Sequence, residues 1–288
     1  MIIPIFMAFY SIPCLFFLFK ITFFYFSRNK AIKEASLDLE LFQLFLFMQF
    51  SNFILIFADF LIFRIPFTGI FTNFCILWNP QFFMESFVFL FYFGFYTSQM
   101  FTPLFCGARV AIMYNLSKRK LRKIVKITSC AIMFSGFLLA LPHFLARGEC
   151  IQVDKPLPFG SIFITSSIHF NHFQKIGFGN FVLNVFITAS IIFLNCLMVQ
   201  KIRQRKLINV RSSNLKIERT LTGTMIILLF PLIMNLLVAL GELFEVTFFS
   251  YLLLLRSIFL DARLHIVSCY FYFTHPVFKK QNVELRML

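Results

Sequence analysis

The chain has 288 residues, of which 59% are apolar, 14% are charged and 47 are phenylalanine. Soluble domains carry charge on about a quarter of their residues, so this composition excludes a soluble domain and indicates a membrane protein with several spans. The net charge of +15 would suggest a nucleic-acid partner in a soluble protein. Here the basic residues lie in short loops between apolar runs, where membrane topology accounts for them, and we expect no nucleic-acid partner.

The first four predicted transmembrane helices alternate with short polar loops. They cover residues 2–26, 37–63, 84–108 and 124–145. The third carries no charged side chain from Ser86 to Ala108, which is long enough to cross the ~30 Å hydrocarbon core of a bilayer. The apolar start of the chain lacks a basic first region and a small-residue cleavage site, so it is predicted to remain as the first helix.

The last three predicted helices cover residues 177–200, 220–241 and 249–273. The sixth contains Pro231, which predicts a kink. Four ionisable residues interrupt the seventh, so part of this helix must face protein or water. Residues 274–288 are predicted to form a short cytoplasmic tail, and the whole chain, 1–288, a single domain of seven transmembrane helices.

The distribution of lysine and arginine sets the predicted orientation. Twenty of the 27 such residues lie in loops on one side of the predicted membrane, and four, including Arg64, lie in loops on the other side. Because basic residues accumulate on the cytoplasmic side, the N-terminus is predicted outside and the C-terminus inside. Seven spans satisfy this arrangement, whereas six do not. No internal repeat is visible, so the paired-repeat design of many transporters has no support.

Two of the seven cysteines, Cys75 and Cys150, lie in the predicted outer loops. The outside is an oxidising compartment, which favours a disulfide between them. Two unpaired thiols are the alternative. The other five cysteines fall within the predicted spans, where small apolar packing is the expected role.

The sequence supplies little for catalysis or metal binding. His169 and His172 have metal-ligand spacing, but their loop offers Asp154 as its only carboxylate, so we interpret them as ordinary loop histidines. The chain contains no glycine-rich phosphate loop, nucleophile elbow or zinc-protease motif. Its last helix has no lysine that could hold retinal. We therefore expect neither an enzyme nor a cofactor.

The charges of the seventh helix predict a polar network inside the bundle. At 100° per residue, Arg256 and Arg263 share one face, while Asp261 and His265 share nearly the opposite face. The matched depth of Asp59 in the second helix predicts an Asp59–Arg256 ion pair. A ligand or ion path along this helix is the alternative, with two acids at the outer end as candidate charges at the mouth of a pocket. They are Glu242 and Glu245.

Five local features occur in order along the chain. They are Tyr10-Ser11-Ile12-Pro13, Arg64-Ile65-Pro66, Glu218-Arg219-Thr220-Leu221-Thr222, Asp261 and the ending Phe271-Tyr272-Phe273-Thr274-His275-Pro276-Val277-Phe278-Lys279-Lys280. Together they resemble the nematode serpentine chemoreceptors, most closely class gamma (Srg), with class V (Srv) as the close alternative. The resemblance implies an all-α, GPCR-like bundle that detects an external small molecule and activates a heterotrimeric G protein. It also implies the plasma membrane of sensory neuron cilia as the location.

The resemblance places Arg109 at the inner end of the third helix, where related receptors contact their G protein. The predicted coupling surface consists of six arginines: Arg109, Arg119, Arg122, Arg203, Arg205 and Arg219. The alternative is that these arginines only set the membrane topology, which fits the loop residues better than it fits Arg109. Ala108 stands where rhodopsin-like receptors carry an acid, so Arg109 is expected to lack its usual restraint. A seven-span channel or transporter is the alternative function. Insect-type odorant channels have the opposite orientation, so the loop charges argue against them.

Overall fold

The computed structural model describes residues 2–27, 39–72, 75, 80–114, 116–152, 161–168, 173–207, 212–244 and 249–274. These residues form seven long α-helices and one β-hairpin. The helices are α1 (Ile2–Ser27), α2 (Leu39–Asp59), α3 (Gln81–Met113), α4 (Lys118–Leu145), α5 (Phe173–Leu207), α6 (Ser212–Leu243) and α7 (Phe249–Thr274). The hairpin strands β1 (Gly148–Gln152) and β2 (Ile162–Ser166) lie between α4 and α5.

Four helical segments of the described chain are long and apolar enough to cross a membrane, which indicates a multi-pass membrane protein. These segments are Glu40–Thr68, Lys118–Leu145, Lys175–Gln204 and Thr222–Gly241. Large aromatic side chains also cover the outside of the bundle, as a lipid-facing surface requires. Examples are Phe19, Phe23, Phe134, Phe186 and Phe193.

Helix α3 is the centre of the bundle and packs against α2, α4 and α5, while α7 packs against α1, α2 and α6. Glycine permits the closest of these approaches. A Cβ atom added to Gly94 would lie 2.8 Å from the backbone nitrogen of Leu55, a distance that real Cβ atoms essentially never show. The α2–α3 pair therefore depends on the missing side chain at this position.

Helix α2 ends in a wider π-helical turn, Phe60–Arg64, in which the N–H of Ile65 donates to the Phe60 carbonyl at 3.0 Å. Residues five positions apart point about 140° apart in an α-helix, because each residue turns the chain by 100°. The wider turn instead brings Arg64 to the side of Asp59. The prediction that Arg64 lies in an outer loop is wrong, because this side chain points into the bundle and is 3% exposed.

The β-hairpin covers the ends of α2 and α3, and it lies in the interval between the predicted fourth and fifth helices. Its strands are antiparallel, with Cys150 opposite Ile164. Strand β2 is rich in β-branched residues and largely buried, as such residues favour. The Ser161 hydroxyl donates to the Phe67 carbonyl at 2.7 Å, and the Phe163 ring stacks on Phe63 with centroids 5.8 Å apart. We call this side of the bundle the hairpin end and the opposite side the Arg109 end.

Candidate functional site

Two apolar clusters fill the bundle, one toward each end. At the Arg109 end the cluster includes Met48 of α2, Phe101 of α3 and Leu232 of α6. At the hairpin end it includes Leu55 of α2, Tyr96 of α3 and Val238 of α6. On all three helices, buried polar residues lie between the two clusters: Gln49, Ser51, Asn52, Thr97, Ser98, Gln99 and Asn235. We call these seven residues the polar layer.

Two amides of the polar layer have no hydrogen-bond partner among the described residues. Neither the nitrogen nor the oxygen of Gln99 or of Asn235 is paired, and their side chains are buried. An unsatisfied polar group of this kind costs about 1–3 kcal/mol. On α5, Asn184 Oδ1 and Thr188 Oγ1 are also buried, with no partner in the described part of the chain. Because proteins seldom bury polar atoms unpaired, these groups indicate a place where a polar ligand is expected.

Arg64 joins α2 to α7 through two carboxylates. Its Nε donates to Asp59 Oδ2 at 2.6 Å, while Nη1 and Nη2 donate to the two oxygens of Asp261 at 2.7 and 2.8 Å. Nη2 also donates to the Ser257 carbonyl at 3.2 Å. All three charged side chains are buried, and the Arg64 guanidinium offsets one of the two negative charges where water does not reach them. We call Asp59, Arg64 and Asp261 the buried triad.

The predicted Asp59–Arg256 ion pair is wrong. Asp59 is bound by Arg64, and the guanidinium of Arg256 lies over the rings of Phe91 and Phe95, 4.9 and 5.5 Å from their centroids. The sequence argument matched the two residues by depth alone, without the wide turn that points Arg64 inward. Arg256 therefore faces α3, away from the triad.

Arg263 is the largest fully buried side chain of the described residues. Its Nη2 donates to the Ser98 carbonyl at 2.7 Å and to Thr102 Oγ1, so it reaches α3 one level below Arg256. Its Nε and Nη1 have no acceptor in the part of the chain that the structure describes. His265, the fourth ionisable residue of α7, is also buried.

A disulfide joins the hairpin to the segment between α2 and α3. It links Cys75 and Cys150, the pair predicted from the sequence, with an S–S distance of 2.01 Å. Two further contacts fix the hairpin. The Gly148 N–H donates to Gln81 Oε1 at 3.0 Å, and His143 Nδ1 lies 2.8 Å from Ser166 Oγ while its ring stacks on Tyr92.

At the opposite end, Arg109 links α3 to α6. Its Nη2 donates to Thr222 Oγ1 and its Nη1 contacts Met225 Sδ, both at 3.2 Å, and the side chain is 2% exposed. The expectation that Arg109 lacks a restraint is therefore wrong. The restraint comes from α6 and not from a neighbouring acid on α3.

The other predicted coupling arginines occupy different surroundings. Arg119, Arg122 and Arg203 are exposed, and Arg122 Nε pairs with Glu40 Oε1 of α2 at 2.6 Å. The described residues contain no group of three potential metal ligands. Several predicted positions lie outside the described residues or side chains: His169, His172, Arg205, Arg219, Glu242 and Glu245.

A family profile described as serpentine type 7TM GPCR chemoreceptor Sru matches residues 1–281. The chain belongs to this family. The match supports the resemblance to serpentine chemoreceptors, which are receptors and not enzymes, but it does not support the class gamma or class V branch. Among curated proteins, none matches the chain.

The polar layer of this Sru chain was not predicted from the sequence. Polar residues near the middle of an otherwise apolar span were the available signal, most clearly the run Thr97-Ser98-Gln99 in α3 and the single Asn235 in α6. These residues form a layer only because they are buried at the same depth on several helices. That alignment follows from helix packing, which no single segment encodes.

Proposed function

We propose that this Sru protein is a chemosensory G-protein-coupled receptor that detects an external small molecule and activates a heterotrimeric G protein. In this proposal all seven helices cross the membrane as one domain, the hairpin end faces outward, and residues 274–288 form a cytoplasmic tail. The location is the plasma membrane of sensory cilia. The family match and the excess of basic residues in the loops at the Arg109 end support this arrangement.

The link from Arg109 to α6 is the observation that carries the proposed mechanism. A receptor of this kind has an equilibrium between closed and open inner faces, which a ligand shifts by binding one state better. The contacts of Arg109 with Thr222 and Met225 hold α3 and α6 together. They favour the closed state, and their release would expose the arginine to the G protein.

The polar layer is the proposed ligand site. It lies between the hairpin end and the Arg109 link, so a ligand bound there can change the packing of α3 against α6 and α7. Gln99 and Asn235 supply polar atoms that are unpaired in the structure. The aromatic residues of α3 next to the layer, including Phe95 and Tyr96, supply an apolar wall.

Replacing Arg109 with alanine tests the proposed coupling. The receptor is co-expressed with a panel of G proteins, and nucleotide exchange is measured without added ligand alongside the amount of receptor at the cell surface. We expect Arg109→Ala to reach the surface and to lose any exchange activity of the wild type. Arg147→Ala, which removes an exposed arginine at the hairpin end, is the matched control.

Two results would contradict this proposal. One is an Arg109→Ala variant that signals as the wild type does. The other is wild-type receptor that passes current in cells lacking G proteins, which would favour a channel. Epitope tags on the two termini test the orientation, because only the N-terminal tag should be accessible in intact cells.

A further inference from the structure

The buried charges of α2 and α7 do not balance. In the network formed by Asp59, Arg64, Arg256, Asp261 and Arg263, both carboxylates bind the same guanidinium, that of Arg64. Arg256 and Arg263 have no acidic partner among the described residues. Three buried guanidiniums therefore face two carboxylates, which leaves one positive charge in excess. A buried charge without a counter-charge is costly, so a further anion is expected from outside the described residues.

Arg263 retains donors that point at no acceptor. Its side chain is 0% exposed and donates from Nη2 to α3, while Nε and Nη1 have no partner among the residues that the structure describes. Its described hydrogen-bond partners are both neutral: they are the Ser98 carbonyl and the Thr102 hydroxyl. An anion could accept hydrogen bonds from the remaining donors and neutralise the charge at the same time.

Arg256 presents a second guanidinium on the same face of α7. The two arginines are seven residues apart, which places them about 10.5 Å apart along the helix axis and within 20° of each other around it. Arg256 Nε also has no acceptor, and its guanidinium lies against the rings of Phe91 and Phe95. The face of α7 toward α3 therefore combines two positive charges with an aromatic wall.

The neighbouring groups on α3 fit an organic anion better than a bare ion. Gln99 follows the Ser98 carbonyl that binds Arg263, and its amide can donate to and accept from polar atoms of a ligand. The phenyl rings of Phe91 and Phe95 give an apolar body a surface to pack against. A monatomic ion would use neither feature.

We propose that the ligand of this receptor is a small organic acid, bound as its anion by Arg263 and Arg256 beside Gln99. This proposal rests on the proposed function, because it names the class of ligand for the same site. A free small molecule is the occupant and not a lipid headgroup. Arg263 is fully buried near the middle of a 26-residue helix, whereas headgroups lie at the ends of membrane helices.

Binding of simple acids to purified full-length receptor in phosphatidylcholine nanodiscs tests the proposal. The probes are butyrate, octanoate, benzoate and succinate, each compared with its uncharged amide at equal ionic strength. We expect at least one acid to raise the thermal unfolding temperature while its amide does not. No stabilisation by any of the four acids, or equal stabilisation by acid and amide, overturns the proposal.

Variants identify the binding residues. Arg263→Gln should unfold at a higher temperature than the wild type when no acid is present, because the unpaired charge is gone, and it should lose the response to acid. Arg256→Gln should weaken the response at least tenfold, whereas the exposed control Arg147→Gln should keep it. If Arg263→Gln does not fold, the arginine is structural and the proposal fails unless Arg256→Gln still shows the tenfold loss.

Further measurements distinguish an organic acid from other anions, and this inference from the proposed function. Stabilisation by chloride alone as strong as by the acids would indicate an ion site, and a response only to phosphatidylglycerol would indicate a lipid site. Either result overturns the organic-acid assignment. These measurements need no G protein, so acid binding without signalling would reject the proposed function alone, and signalling evoked by neutral molecules alone would reject this inference.

Discussion

Arg64 and Asp261 are 197 positions apart in the sequence and form a two-point ion pair inside the bundle, with both N–O distances below 3 Å. Asp59 completes the contact from the other side of the guanidinium. The triad connects the hairpin end of α2 to the middle of α7. It therefore fixes the position of the helix that carries Arg256 and Arg263.

Removing Arg64 should destabilise the protein strongly. Arg64→Met leaves two buried carboxylates without their cation, and breaking a buried ion pair in this way costs about 3–5 kcal/mol. Asp59→Asn should cost less, because Asp261 still binds the guanidinium at two points. Thermal unfolding of the detergent-purified variants measures the difference. Similar losses for Arg64→Met and for the exposed control Arg147→Met would contradict this role of the triad.

A fully neutral triad provides the companion test. The triple variant Asp59→Asn, Arg64→Met, Asp261→Asn should be more stable than Arg64→Met alone, because no unpaired charge remains buried in the triad.

The exchange of Asp59 with Arg256 should recover none of the stability that either single substitution loses, since these residues make no contact in the structure. Recovery by that exchange would show that the two residues are partners after all.

Gly94→Ala should weaken the α2–α3 contact. The added methyl group would lie 2.8 and 2.9 Å from backbone atoms of Leu55, so the helices must separate, and overpacking of this kind costs about 1–3 kcal/mol. Gly179→Ala is the matched control, because nothing lies within 4 Å of its added Cβ. We expect a lower unfolding temperature for the first variant and an unchanged or slightly higher one for the second. Equal behaviour would mean that α2 and α3 do not approach so closely.

Thr222→Val should activate the receptor without ligand. The substitution preserves the size of the side chain but removes a hydrogen bond to a charged group, a contact worth about 1.5–3 kcal/mol. If this contact favours the closed state, basal G-protein exchange should rise about tenfold or more, because 1.4 kcal/mol corresponds to a factor of ten. Ser190→Ala, which removes a hydroxyl bonded only to its own helix in α5, is the control. Unchanged or reduced basal exchange would argue against a restraining role for Thr222.

The disulfide should account for much of the stability of the hairpin end. It closes a loop with a sequence separation of 75, and loops of this size gain about 4 kcal/mol from a cross-link. Cys75→Ser, Cys150→Ser and the double variant should therefore lose the same amount of thermal stability. In intact cells, a membrane-impermeant maleimide should label neither cysteine until a reductant is added. Free labelling before reduction would exclude the bond.

The sequence alone determined the features that depend on local composition. Long apolar runs predicted where the helices lie, because a helix that faces lipid must be apolar over its whole length. Cys75 and Cys150 were the two cysteines in predicted outer loops, which face an oxidising compartment, so the sequence predicted a disulfide between them. The basic loops predicted the orientation of the chain in the membrane. The motif resemblance found the serpentine chemoreceptors but selected the class gamma branch, whereas the whole-chain match is to Sru.

Only the tertiary structure decided which charges meet. The partner of Asp59 depends on a wide turn that redirects Arg64, and the partner of Arg64 lies on the last helix, so neither follows from periodicity within one segment. The restraint on Arg109 likewise comes from a different helix, α6. Hydropathy reports how deep a side chain lies along its own helix. Which other helix it faces is set by packing. For that reason, only the assembled bundle revealed the polar layer and the two arginines that have no acidic partner among the described residues.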